Sequence, residues 1–256
     1  MTIPPTKLNL IGGVDISLPN VSYCEDVKDV HYLPYNLVRF YVGEITRATP
    51  QTVNIYTDSS TSVDVEVSEG NKWYSYVLPK DKGLYRIEGD SVKKVVVKAD
   101  ISFEGTKSYL HVIIIPKTTI EASFKGSNTS KVTDMNGMFS GCSGLTSLDV
   151  SKFNTTNVTT MNGMFSGCSG LTSLDVSNFD TSKVITMSNM FNNCSNLTSL
   201  TLSGWVISDT TNTSFMFKGC SKLNTIRTVD CSEPTRTKIQ NQLTKDGITG
   251  VIIVTK

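Results

Sequence analysis

Hydrophobic positions fall into three regimes along the chain. From about residue 21 to residue 117, short runs rich in β-branched and aromatic residues alternate with turn signals. The runs are Leu37 to Val42, Thr52 to Tyr56, Val63 to Val67, Trp73 to Leu78, Leu84 to Ile87, Lys94 to Val97 and Ser108 to Ile115. Runs of this kind predict strands, and the Gly-Asn, Gly-Asp and similar pairs between them predict tight connections. Strands this short and closely spaced predict an all-β sandwich or an open barrel. Trp73, Tyr74 and Tyr76 read as core residues plus a cross-strand partner rather than a ligand patch.

From residue 118 to residue 231 the pattern changes to one phrase repeated every 26 residues. Met138, Phe139 and Cys142 recur as Met164, Phe165 and Cys168, then as Met190, Phe191 and Cys194, and finally as Met216, Phe217 and Cys220. Between them, Leu145, Leu148 and Val150 recur as Leu171, Leu174 and Val176 and as Leu197, Leu200 and Leu202. A period in the twenties with this leucine spacing predicts a leucine-rich solenoid. Within a unit, Leu148 and Val150 alternate with Ser147, Asp149 and Ser151, which predicts a strand with one buried face. Val158, Met161, Met164 and Cys168 share one side of a helical period, which predicts a short helical or 3₁₀ return that Gly163 and Gly167 keep short. One unit buries too few apolar groups to offset its own ordering entropy, so stability must come from stacking.

Residues 232 to 256 read as a cap. Ser232-Glu233-Pro234 starts a helix over about Thr235 to Leu243, Lys245-Asp246-Gly247 ends it, and Ile248 to Val254 reads as a last strand. At the other end, residues 1 to 20 read as an extended arm. Leu8, Leu10, Ile11, Val14, Ile16 and Leu18 fit either a free tail or a strand lying along a groove of another chain. The expected fold is therefore β-rich with two domains. An all-β sandwich or barrel-like domain over 21–117 precedes a solenoid over 118–231, closed by the helix and strand of 232–256.

The phrase running from Asp180, Thr181, Ser182, Lys183 and Val184 through Met187, Met190, Phe191, Cys194 and Leu197 resembles the BspA-like leucine-rich repeats. Such repeats are found also in mycoplasma lipoproteins and in many gut bacteria and their phages. The resemblance covers about residues 118 to 230 and leaves residues 1 to 117 outside it. It implies a surface-displayed, non-enzymatic adhesion or interaction module.

Charge narrows the partners. With 24 basic and 23 acidic residues well mixed, the chain has no basic stripe for nucleic acid and no polybasic membrane patch. No apolar run approaches the length of a membrane span. Met1 to Asn20, with Pro4, Pro5, Gly12, Gly13 and a single Lys7, does not read as a secretory leader.

Candidate chemistry is sparse. His31 and His111 are the only imidazoles, and no nucleophile, phosphate-loop or zinc motif stands at a known spacing. The expectation is no enzymatic activity, no cofactor and no metal. Of the six cysteines, Cys142, Cys168, Cys194 and Cys220 share one repeat position and read as small core hydrophobes, with disulfides along the column as the alternative. The candidate binding face is the outer side of the repeat strands. It comprises Ser147, Asp149 and Ser151, then Ser173, Asp175 and Ser177, then Ser199, Thr201 and Ser203, ending at Arg227. The same pattern suits a merely solvated strand face, and Asp149 beside Asp175 makes an incomplete cation shell.

The resulting expectation is a structural or adhesive protein of a phage virion surface. Residues 1–117 would dock on other virion structural proteins, and the repeats would bind a host surface protein or glycan. A bacterial cell-surface adhesin is the alternative, and homo-oligomerisation is left open.

Overall fold

The computed structural model describes residues 36–45, 51–58, 62–67, 69–79, 82–102 and 114–256. The expected arm over 1–20, His31, His111, Cys24 and most of the expected strand over 108–115 lie outside the described residues.

The N-terminal strands stand close to where the alternation placed them. β1 (Leu37–Val42), β2 (Gln51–Tyr56), β3 (Ser62–Val67), β4 (Lys72–Val77), β5 (Arg86–Glu88) and β6 (Val92–Lys98) form two sheets. In one, β1 pairs antiparallel with β4 and β6, and in the other β2 pairs antiparallel with β3 and β5. Because side chains alternate along a strand, Val38 and Phe40, Tyr74 and Tyr76, and Val95 and Val97 turn to the same side and are buried. Val53, Ile55, Val65 and Val67 of the second sheet join them in one apolar cluster.

The first sheet does not stop at the composition change near residue 117. β7 (Glu121–Ser123) pairs in parallel with β6, and β8 (Ser147–Asp149) pairs in parallel with β7. Beyond them, β9 (Ser173–Asp175), β10 (Ser199–Thr201), β11 (Thr225–Arg227) and β12 (Ile252–Val254) form a parallel four-stranded sheet. Strands β7 to β12 mark successive coils of one solenoid, and its core belongs to the same buried cluster as Phe40 and Ile55.

The return path of each coil forms neither a regular helix nor a continuous 3₁₀ segment, the two forms that the sequence predicts, though it keeps the i to i+3 bond of the latter. It runs through consecutive turns closed by i to i+3 bonds: Met138 N–H to Met135 O at 3.3 Å, Ser140 N–H to Gly137 O at 2.9 Å, and Cys142 N–H to Phe139 O at 3.2 Å. Gly137 and Gly141 sit at φ of 67° and 76°, in the left-handed region, and each reverses the chain before a helix can propagate. Residues three apart still face one way along such turns, so Met138, Phe139 and Cys142 all point inward and are buried.

What the turns lack internally they find in the next coil. Met135, Phe139 and Gly141 donate N–H bonds to Thr160, Met164 and Ser166 of the following coil at 2.7 to 2.9 Å. One period later Met161, Phe165 and Gly167 bond to Thr186, Met190 and Asn192 at 2.7 to 2.9 Å. Buried Thr129, Thr155 and Thr181 add side-chain bonds to the carbonyls of Asn154, Asp180 and Val206 at 2.8 to 3.0 Å. Inside the coils, the rings of Phe139, Phe165, Phe191 and Phe217 stack with centroids 5.7, 5.7 and 6.0 Å apart. A second column, Phe153 and Phe179, stacks at 6.3 Å, and Trp205 lies 6.3 Å from Phe191.

The predicted cap is α1 (Glu233–Lys245), with Ser232 as N-cap and Pro234 in its first turn. Ile239 and Leu243 cover the open apolar end. The helix also replaces the polar partners that a further coil would supply. Phe217 N–H, whose counterparts bond to the next coil's carbonyl, bonds to the Asp246 carboxylate at 2.9 Å. Ile207 N–H bonds to the Thr235 hydroxyl at 3.1 Å, and the Lys238 ammonium donates to Ser208 O and Asp209 O at 2.7 Å. Asp246→Ala leaves the partly buried Phe217 N–H without this acceptor, and is expected to cost about 2 kcal/mol in chemical denaturation.

Candidate functional site

The strands hold the outer-face side chains in register. Ser173, Ser199 and Thr225 lie side by side across β9, β10 and β11, and so do Asp175, Thr201 and Arg227. Ser147 and Asp149 do not join these rows, because no ladder forms between β8 and β9. The turn-side bonds cross that junction without interruption. Ser147 and Asp149 align instead with Glu121 and Ser123 of β7, and through them with Lys94 and Val96 of β6. The proposed pairing of Asp149 with Asp175 is therefore absent from the strand register.

Both carboxylates are already engaged. Asp149 accepts the Ser151 N–H at 3.0 Å, and Asp175 accepts the Ser177 N–H at 2.9 Å. These are Asx turns that end the strands, the local bond that Asp makes readily two residues on. Ser151 and Ser177 are exposed, whereas the Ser203 hydroxyl is buried and finds no hydrogen-bond partner. Among the described residues, no group of three or more His, Cys, Asp or Glu stands together as a metal site. Serine can accept the same turn bond, so Asp149→Ser is expected to leave thermal unfolding nearly unchanged. Asp149→Ala is expected to cost about 1 kcal/mol, and calorimetry separates the two.

Register also brings in residues that periodicity alone does not reveal. Lys94 pairs with Glu121 at 3.2 Å on this face. One strand further on, Tyr41 aligns with Lys94 and with Trp73, and the two rings meet edge-on at 5.6 Å. The Arg39 guanidinium lies 4.9 Å from the Trp73 ring. Tyr74 and Tyr76 enter the core as expected, while Trp73 turns to the outer face. The row through Ser147, Glu121 and Lys94 thus continues onto a Trp, Tyr and Arg cluster, the residue types that most often anchor contacts, while the rows of β9 to β11 form a separate sheet. Only strand pairing, which no sequence motif encodes, places them together.

The cysteine column is structural in a more specific way than small apolar filling. Cys142, Cys168, Cys194, Cys220 and Cys231 are free and buried. The thiols of Cys168, Cys194 and Cys220 donate to the carbonyls of Phe139, Phe165 and Phe191 in the preceding coil at 3.1, 3.1 and 3.0 Å. Cys231 does the same to Leu202 O at 3.2 Å. Burial pushes the Cys142 and Cys220 thiols up to about 12 and raises Cys168 and Cys194 in the same direction.

Parallel coils of one repeat, an aromatic and thiol core, a polar outer face and a helical cap define a β-solenoid repeat protein. Residues 113–229 match the family described as Mycoplasma protein of unknown function, DUF285, whose repeats are of the BspA-like, mycoplasma type. No curated protein and no solved structure matches the chain. Among the described residues, no helix is long and apolar enough to cross a membrane.

Proposed function

We infer that the protein is a non-enzymatic adhesive module, displayed on the surface of a phage particle. Residues 1–117 attach it to other virion structural proteins, and the repeats contact a host surface protein or glycan. The observation that carries this reading is the outer sheet face. It offers rows of Ser, Thr and Asp in register across β9 to β11, and on the neighbouring sheet a row that runs from Ser147 through Glu121, Lys94 and Tyr41 to Trp73. Short hydroxyls suit hydrogen bonding to a hydroxyl-rich ligand, and the aromatic end suits stacking. The coil-to-coil bonding supports a display role, because each coil added to a stack of this kind extends its outer surface by one strand.

Peptide mass fingerprinting of purified virions tests the location, and absence of the chain from every particle fraction overturns it. Binding of the purified chain to a glycan array tests the face: Trp73→Ala and Thr201→Lys should each weaken the signal at least tenfold. A second reading, a bacterial cell-surface adhesin, is favoured by the Mycoplasma family description. Surface labelling of intact bacteria carrying the gene separates the two.

A further inference from the structure

The last strand of the solenoid is composed unlike the others. Along the outer face, one row runs Ser173, Ser199, Thr225 and then Ile252, and the next runs Asp175, Thr201, Arg227 and then Val254. On the inner face Ile253 follows Leu174, Leu200 and Ile226 and packs against the core. β12 is therefore apolar on both sides, the composition of a strand inside a sheet rather than at its edge. Yet Ile252 is 64% exposed, and among the described residues no strand pairs with the other edge of β12. The usual guards of an open edge, a charged side chain, a proline or a bulge, are missing between Val251 and Val254.

The backbone says what kind of group fits there. In a parallel ladder, alternate residues turn both N–H and C=O to the same neighbour. Ile252 N–H bonds to Asn224 O at 2.8 Å, and Val254 O accepts Thr228 N–H at 2.8 Å, so residues 252 and 254 face β11. The N–H and C=O of Ile253 then point away from β11, toward the open edge. Beside that edge, between α1 and β12, lies an open groove of about 360 Å³ lined by Arg236, Gln240, Asn241, Ile253 and Thr255.

We propose that this edge is a self-association site, in which β12 of a second copy pairs antiparallel with it across a two-fold axis at Ile253. The segment is complementary to itself in that register. Ile253 faces Ile253 of the second copy, Ile252 faces Val254, and Val251 faces Thr255, while Lys256 lies beyond the pair opposite Gly250. No like charges meet, and the outer apolar side chains gain cross-strand partners. A two-fold arrangement uses the same edge on both copies and closes, which makes a dimer and not a fibre. The inference is independent of the adhesive reading, since a monomer displays the same outer face.

A contact of one short strand and a helix flank belongs to the small, weak class of interfaces, so association is expected at a Kd of about 10 to 100 µM. Sedimentation equilibrium of the full chain over about 1 to 500 µM is the test. The expected result is a mass rising from 28.0 kDa toward twice that value and no further. Ile252→Lys, at a solvent-facing side chain, and Ile253→Pro, which removes the edge N–H, should each shift the dissociation constant upward at least tenfold. A wild-type mass that never rises, a mass that passes the dimer, or unchanged association in Ile252→Lys each overturns the proposal. If the proline variant fails to fold, Ile252→Lys decides alone.

Discussion

Met164→Asp is expected to abolish cooperative folding of the repeats. Met164 is fully buried in the solenoid core, and its carbonyl accepts the Phe139 N–H from the preceding coil at 2.9 Å. A carboxylate there enters an apolar cluster, and an ionised group without a partner in such an interior is among the costliest of single changes. The loss should exceed about 4 kcal/mol, a large share of the roughly 5 to 15 kcal/mol that holds a typical domain folded. Coils touch only their neighbours, so removing one layer also deprives the two beside it of their ladder bonds. Circular dichroism melts should lose the main transition, and limited proteolysis should begin to cut between Val132 and Phe191. A variant that melts like wild type would mean that the Met, Phe and Cys layer does not exist as described.

Raising the pH from about 9 toward 12 is expected to destabilise the folded chain steeply, ahead of any general alkaline effect. In the unfolded chain the thiols ionise near 9.0, whereas burial pushes Cys142 and Cys220 up to about 12 in the fold, with Cys168 and Cys194 raised likewise. Between those values the folded state holds more protons than the unfolded one, so stability must fall as pH rises. The contribution is intact below about pH 9 and is lost through the window above it, at about 1.4 kcal/mol per pH unit for each thiol. Urea midpoints measured at intervals from neutral pH upward should bend downward above pH 9, and Cys168→Ala should make the bend shallower. Iodoacetamide at pH 8 should leave Cys142, Cys168, Cys194 and Cys220 unmodified in the folded chain, as read by peptide mass spectrometry. A flat profile, or rapid alkylation of any of these four in the folded protein, would contradict the burial of this column.

The repeats were legible because the signal is local and redundant. Each 26-residue unit writes the same Met, Phe, Cys and Leu at the same offsets, so period alone assigns the inner and outer faces. The cap was legible for a similar reason, since Ser232, Pro234 and Gly247 each carry a local conformational demand. The short helical or 3₁₀ return was legible only as an inward spacing, because isolated i to i+3 turns share that spacing with both kinds of helix. Only the left-handed glycines, and the left-handed Asn189 and Phe215 at the same repeat position, tell them apart. Pairing of β6 with β7 was not legible at all, because Lys94 and Glu121 belong to segments with no common pattern.

The candidate face divides in the same manner. Its rows follow from period, but the interruption between β8 and β9, and the alignment of Trp73 and Tyr41 with the polar rows, depend on which strands pair. The Asp149 and Asp175 turns were present in the Asp-x-Ser spacing, a local bond that competes directly with the ligand role suggested for those carboxylates. The thiol bonds lie deeper. A cysteine reads as a small apolar side chain until the carbonyl 29 residues before it is placed 3.1 Å from the sulfur, as Phe139 O is from Cys168.

Residue-resolved amide hydrogen exchange tests the continuous stack most directly. The N–H groups of Met135, Phe139, Gly141, Met161, Phe165 and Gly167 sit in turns, outside any helix or strand, and each bonds to a carbonyl of the next coil. In a registered stack they exchange only through opening of the solenoid, as slowly as the amides of β9 and β10 and together with them. Exchange at rates typical of exposed turns, with protection confined to the short strands, would show that the coils are not bonded to one another.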